Sequence, residues 1–349
     1  MEDYLSIIKL KVLPKYGYKN QLEDALLNVL DNPDDYLSWV KEIAKYHISK
    51  RTGSEFWINA AKERKITVNK INKSKTMDEL LDLMGDADYD ELKQELGYEK
   101  LFLPKGMKSE KLYRSDSSGT TGPAKTVYHA ITPLAFSAAN EYVGIISNTS
   151  AEDLKDKKLL ALGPKGAYQE EHKILADFLG MEYIDLSFET KGLKNLPPAK
   201  LMEILGPIIY NTKELLKEKN VGLMTGSGEM IPFIDRDLLK NVKVIKLSGT
   251  GMNGAYIDKL RKEVNRNIIP SYGHFYGKSS IGFLDENNLD YYPTFPFTNY
   301  IVSNENGESK EKMVIAQPEL FLIHDEDIVS VSPENPSFKG IKGIRNPHR

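Results

Sequence analysis

The sequence predicts an α/β protein with a helical N-terminal region, a doubly wound, mainly parallel sheet and a β-rich C-terminal subdomain. Three observations carry this expectation. Apolar residues recur at helical spacing through the first hundred positions. Between 126 and 270, short β-branched runs alternate with longer amphipathic stretches, and after about 280 short aromatic and β-branched runs follow one another with only turns between them. Alternating strands and helices argue for a parallel sheet whose ligands lie at the strands' carboxyl ends. The expected boundaries are 1–108 for the helical region, 109–280 for the α/β core and 281–349 for the β-rich subdomain.

In the first region Asp34 is placed to cap a helix after Asn32-Pro33. Leu37, Val40, Ala44 and Ile48 then keep the period until Arg51-Thr52-Gly53 ends it. Further helices are expected near 21–31, 54–64, 77–84 and 89–97. Trp39, Phe56 and Trp57 read as packing residues rather than a ligand platform. In the core, Lys158–Gly163, Val221–Thr225 and Val242–Leu247 read as strands, each running into a Gly- or Ser-containing loop. Helices are expected between and after them near 169–179, 199–219 and 254–265. The last region offers strands at 289–293, 298–302 and 312–316, with a turn at Glu305-Asn306-Gly307.

Composition narrows the function classes. The chain of 349 residues is 40% hydrophobic, enough for a packed core, and its net charge of −3 makes no electrostatic case for nucleic acid or acidic membranes. No apolar run approaches the roughly 18 residues of a spanning helix. The start Met1-Glu2-Asp3-Tyr4 is unlike a signal peptide, so a cytoplasmic location is the default expectation. The absence of cysteine excludes disulfides, thiolate metal sites and thiol nucleophiles. Six scattered histidines with no closely spaced pair argue against a zinc enzyme.

The segment most charged with chemistry is Ser115-Asp-Ser-Ser-Gly-Thr-Thr-Gly-Pro-Ala-Lys125. Gly119 and Gly122 allow the backbone to approach an anion and turn its N–H groups toward it. Ser117, Ser118, Thr120 and Thr121 add hydroxyl donors, and Lys125 adds a mobile positive charge suited to a polyphosphate. By composition alone, a solvated Ser/Thr/Gly turn is an equal reading.

The order of residues from Ser117 to Lys125 resembles the phosphate-loop signature of the adenylate-forming (ANL) superfamily, which includes acyl-CoA synthetases, phenylacetate-CoA ligases and nonribosomal adenylation domains. It is not a Walker A loop; the near miss Gly273-His-Phe-Tyr-Gly277-Lys-Ser279 has one residue too few between its glycines. Three later segments stand in the superfamily's order. Ser248-Gly249-Thr250-Gly251 looks like its Gly-Gly-Ala-Pro loop at the adenine and acyl pockets; taken alone it is a simple turn from strand to helix. Tyr276-Gly277-Lys278-Ser279-Ser280 resembles its Tyr-Gly-x-Thr-Glu motif, which implies adenine stacking for Tyr276 and an α-phosphate contact for Ser279. Ser280 takes the place of the magnesium-binding glutamate, so the residue that would hold the metal is left unknown. A register shifted to Tyr272-Gly273-His274 is the alternative. Asp327, in His324-Asp-Glu-Asp-Ile-Val329, aligns with the aspartate that takes the ribose hydroxyls; the bland reading is an acidic turn between strands. Gly163–His172 occupies the region of acyl-pocket residues, with His172 expected on a helix surface.

The resemblance covers about residues 110–335 and implies AMP-forming carboxylate activation: a small carboxylic acid and ATP, with Mg2+, give an acyl-adenylate and pyrophosphate. Lys125, Thr121 and Ser279 would be its catalytic residues and CoA a second substrate. Phenylacetate-CoA ligases and acyl-protein synthetases look most similar. Relatives carry a further C-terminal lid domain. Here the sequence runs about twenty residues past Asp327, so no lid is expected, and a partner chain supplying a lid or acyl acceptor is the corresponding expectation. The alternative is a degenerate, non-catalytic subunit that binds a nucleotide or acyl-adenylate.

Overall fold

The computed structural model describes residues 3–85, 92, 96–117, 125–189, 193, 196–248, 253–272, 280–286, 288–305 and 308–348. A small antiparallel hairpin is formed by β1 (Tyr113–Asp116) and β2 (Thr126–His129). Eleven further strands make one mixed sheet. They are β3 (Lys158–Ala161), β4 (Glu182–Asp185), β5 (Val221–Ser227), β6 (Val244–Ser248), β7 (Ile268–Tyr272), β8 (Ser280–Asp285), β9 (Asn288–Tyr292), β10 (Thr298–Glu305), β11 (Glu308–Ala316), β12 (Phe321–Val331) and β13 (Ile344–His348). Their order is β10-β11-β12-β13-β9-β8-β7-β6-β5-β3-β4.

The five strands β4-β3-β5-β6-β7 are parallel, as the βα alternation requires. The chain leaves β3 outward to β4, then returns past β3 to β5, so the direction of winding reverses between β3 and β5. With right-handed crossovers, this reversal places the helix Ala167–Leu179 on one face and the helices Pro198–Lys217 and Gly254–Glu263 on the other. From β8 onward the sheet is antiparallel. It joins the parallel part without a break through Ser271↔Ile281 and Tyr272↔Ser280.

The N-terminal helices cover β11 and β12. Trp39 Nε1 donates to Ala316 O at 3.1 Å, and Trp57 Nε1 to Phe321 O at 2.8 Å. Both indoles are buried, so each brings its one donor to a backbone carbonyl, as a buried tryptophan must. The helix expected from an Asp34 cap begins instead at Tyr36, behind a short 3₁₀ turn over Pro33–Asp35. The helix expected at 89–97 lies mainly outside the described residues.

The longest helix that escaped sequence reading is also the most buried. Ile131–Ile146 is buried along nearly its whole length, so it has no polar stripe to reveal it. Glu319 caps its start by accepting the Ala130 N–H at 2.9 Å. Asn140 fastens it to the sheet: its amide donates to Tyr292 O and Pro293 O at 3.0 and 2.9 Å, and its carbonyl accepts the Ile281 N–H at 2.9 Å. Residues 324–329 are not a turn between strands. They run within β12, where a bulge against Lys310–Lys312 falls around Asp327.

Candidate nucleotide and acid site

Ser117 and Lys125 form the neck of the β1–β2 hairpin. The Ser117 N–H donates to Lys125 O at 2.9 Å, and Ser117 Oγ accepts the Lys125 N–H at 2.8 Å. Just below, Asp116 accepts from the Arg114 guanidinium and from Thr126 Oγ1. The ends of the candidate phosphate loop are thus held together by paired backbone and side-chain bonds. The hairpin leans on the turn after β3. Gly166 has φ +88, and a Cβ there would stand 2.3 Å from Arg114 O, so only glycine permits the approach.

That turn leads to the reversal point between β3 and β5, where open α/β sheets bind their ligands. Tyr168 fills it. Its ring lies so close to Gly163 that a Cβ there would meet Tyr168 Cε1 at 2.3 Å. The hydroxyl reaches Thr225 Oγ1 at 2.6 Å and Leu162 O at 3.4 Å. Burial of that hydroxyl end raises its pKa well above the usual tyrosine value, although the residue keeps part of its surface exposed.

Behind the ring is a buried charged cluster. Thr225 and Lys246 are register neighbours on β5 and β6, and Lys246, only 2% exposed, runs across the sheet face to the helices. Its ammonium bonds Glu141 of the helix 131–146 and lies 3.0 Å from His172 Nε2. His172 stacks on Tyr168, with ring centroids 3.9 Å apart. Its Nδ1 is 2.7 Å from Tyr168 O, a carbonyl that can only accept, so Nδ1 carries the proton and Nε2 receives the lysine. Burial, and then the Lys246 charge, hold the His172 pKa well below the usual histidine value. Burial pushes the Glu141 carboxyl up to about 8 against the opposing pull of Lys246. Nearby, Glu171 accepts from Ser137 Oγ at 2.6 Å. The expectation that His172 lies on a helix surface is therefore corrected: it is fully buried, because the helix 131–146 covers the face that the sequence left open.

Of the residues singled out from sequence, the structure brings Ser117 and Lys125 together and places Ser248 at the carboxyl end of β6. Ser118, Gly119, Thr120, Thr121, Gly122, Gly249, Thr250, Gly251, Tyr276, Gly277 and Ser279 lie outside the described residues. Ser280 is fully buried on β8, its Oγ 2.6 Å from the Tyr300 hydroxyl. Among the described residues, no group of three or more His, Asp or Glu could hold a metal ion. Asp327 stands on β12, five strands from β6 in the order of the sheet. Tyr168, Thr225, Glu141 and Lys246 were not anticipated. The available signal was Lys246 inside the otherwise apolar run Val244–Leu247, where a charged side chain has to find a buried partner. Among the described residues, no helix is long and apolar enough to cross a membrane.

No protein-family model matches the sequence, and no curated protein matches it. The fold does have solved counterparts. It is similar to 2-hydroxyisobutyryl-CoA ligase in an open conformation with 2-HIB-AMP and CoA. The TM-score is 0.63 at 10% identity, over 90% of this chain and 73% of that one. The same ligase in its thioesterification state gives a TM-score of 0.61 at 11% identity, over 92% and 68%. The chain has the fold of the adenylate-forming (ANL) ligases, as its phosphate-loop signature led one to expect.

Proposed function

We propose that this chain catalyses AMP-forming activation of a carboxylic acid, in which acid and MgATP give an acyl-adenylate and pyrophosphate. The observation that carries the reading is the Ser117–Lys125 neck, which closes the ends of a segment of Gly, Ser and Thr residues in a hairpin seated on the turn after β3. The acid's carboxylate attacks the α-phosphorus in line, so catalysis is mainly positioning and neutralisation of charge. In this reading the loop 117–125 holds the β- and γ-phosphates, with Thr121 donating to them, and Lys125 offsets charge on the departing pyrophosphate. Ser279 steadies the α-phosphate, Tyr276 and the loop 248–251 hold adenine, and Asp327 takes the ribose hydroxyls. The buried position of Ser280 leaves it no open face toward a cation, so the magnesium ion is proposed to be carried by the nucleotide's own phosphates. CoA is the proposed acyl acceptor in a second step.

Calorimetry tests the nucleotide assignment. Lys125→Ala and Thr121→Val should weaken ATP binding, the lysine change affecting AMP less; equal ATP affinity in wild type and both variants would falsify it. Pyrophosphate release against a panel of acids then tests the chemistry.

A further inference from the structure

We propose that Tyr168 is the wall that sets the depth of the acid pocket and confines this chain to short-chain carboxylic acids. The inference rests on the AMP-forming reading above and names the substrate class of that same site.

A ligand at the reversal point of an open α/β sheet enters between the carboxyl ends of the two strands that flank the reversal, here β3 and β5. Tyr168 stands at that place. Its ring lies against Gly163 at a distance no Cβ would tolerate, and its hydroxyl ties across to Thr225 on the neighbouring strand. The ring is held on a second side as well, because it packs against the fully buried His172 with the two planes tilted by 35°. Tyr168 keeps part of its surface exposed, whereas His172, Thr225 and Lys246 around it are buried.

What lies behind the ring decides which acids can enter. An apolar acyl chain extending past Tyr168 would meet Lys246, whose ammonium sits 5.8 Å from the ring centroid and bonds Glu141 and His172. Apolar atoms there would strip these groups of their partners, and an unpaired buried charge is far costlier than a lost apolar contact is favourable. Tunnels for long acyl chains need an apolar lining, whereas this one is charged and filled. An acid that ends against the outer face of the ring keeps every one of these bonds.

The test uses acyl-sulfamoyl adenosines, stable mimics of the acyl-adenylate, with acetyl, butyryl and octanoyl chains, and AMP as the control for the nucleotide half. Binding to wild type, Tyr168→Ala and Tyr168→Phe is measured by calorimetry. Wild type should bind the acetyl or butyryl mimic roughly tenfold or more tighter than the octanoyl one. Tyr168→Ala should reduce that preference to within about threefold with AMP affinity unchanged, and Tyr168→Phe should keep it because the ring remains. Tyr168→Leu, which shortens the side chain without emptying the site, replaces the alanine variant where the latter does not fold. Equal affinity of wild type for short and long mimics overturns the inference, as does an undiminished preference in the shortened variants. Failure of wild type to bind AMP and every mimic overturns the nucleotide reading itself, and the inference with it.

Discussion

Lys246 and His172 meet 3.0 Å apart in a part of the molecule that water does not reach, with the ammonium donating to the imidazole and to Glu141. Lys246 ties β6 to two helices that enter the fold from elsewhere in the chain. Removing Lys246 leaves Glu141 and His172 buried without their donor. Lys246→Met should cost about 3–5 kcal/mol in denaturant unfolding, whereas Glu141→Leu combined with Lys246→Met should recover most of it. A double variant as unstable as the single one would show that the cluster stabilises through something other than the pairing of these two residues.

Stability should pass through a maximum near pH 6.5. Burial holds His47 down at about 4, opposed by its bond to Gln317 O, and His172 is lowered as well. Below about pH 6.5 the unfolded chain therefore binds more protons at these sites than the folded one, and stability falls as the pH drops toward 4. Glu141, raised to about 8, acts in the opposite sense: its contribution is complete below the ordinary glutamate value and is lost as the pH rises through 8. The two histidines outweigh it on the acid side, and it acts alone between about 6.5 and 8. Equilibrium unfolding across this range should show both arms. His47→Gln should flatten the acid arm by roughly 3 kcal/mol at most, and Glu141→Gln the alkaline one.

Asn140 is the pin between the helix 131–146 and the antiparallel half of the sheet. Asn140→Ala should lose about 2–4 kcal/mol, since the buried Ile281 N–H and two carbonyls are left without it. Asn140→Asp should be worse at neutral pH, because a carboxylate cannot donate to Tyr292 O and Pro293 O. An aspartate variant more stable than the alanine one at pH 7, by thermal or denaturant melts, would contradict this account.

Gly166→Ala probes the contact between the hairpin and the sheet. Its φ of +88 costs an alanine roughly 1–3 kcal/mol, and the clash with Arg114 O adds to that. The hairpin should shift from its seat, so ATP affinity should fall more than AMP affinity. Loss of stability with ATP affinity intact would separate the hairpin's seat from phosphate binding.

Ser117→Ala removes the acceptor for the Lys125 N–H without touching the backbone pair. Stability should change by about 1 kcal/mol or less at this partly exposed site. ATP binding should weaken while AMP binding holds, by calorimetry; a parallel loss of both would place the effect outside the phosphate loop.

Local patterns determined a good deal of this protein. The strands at 158–163, 221–225 and 242–247 and the helices 169–179, 199–219 and 254–265 follow from periodicity and turn residues, which act over a few positions. Only the tertiary structure decided that β8 joins the parallel strands antiparallel to β7, that the helix 131–146 is buried along nearly its whole length, and that His172, Lys246 and Glu141 meet. These residues are separated by 105 positions at the widest, between Glu141 and Lys246. Nothing in the neighbourhood of any one of them encodes the others. A buried charge needs a partner, but the chain's winding chooses which one, since burial and strand order are properties of the whole sheet and not of any segment in it.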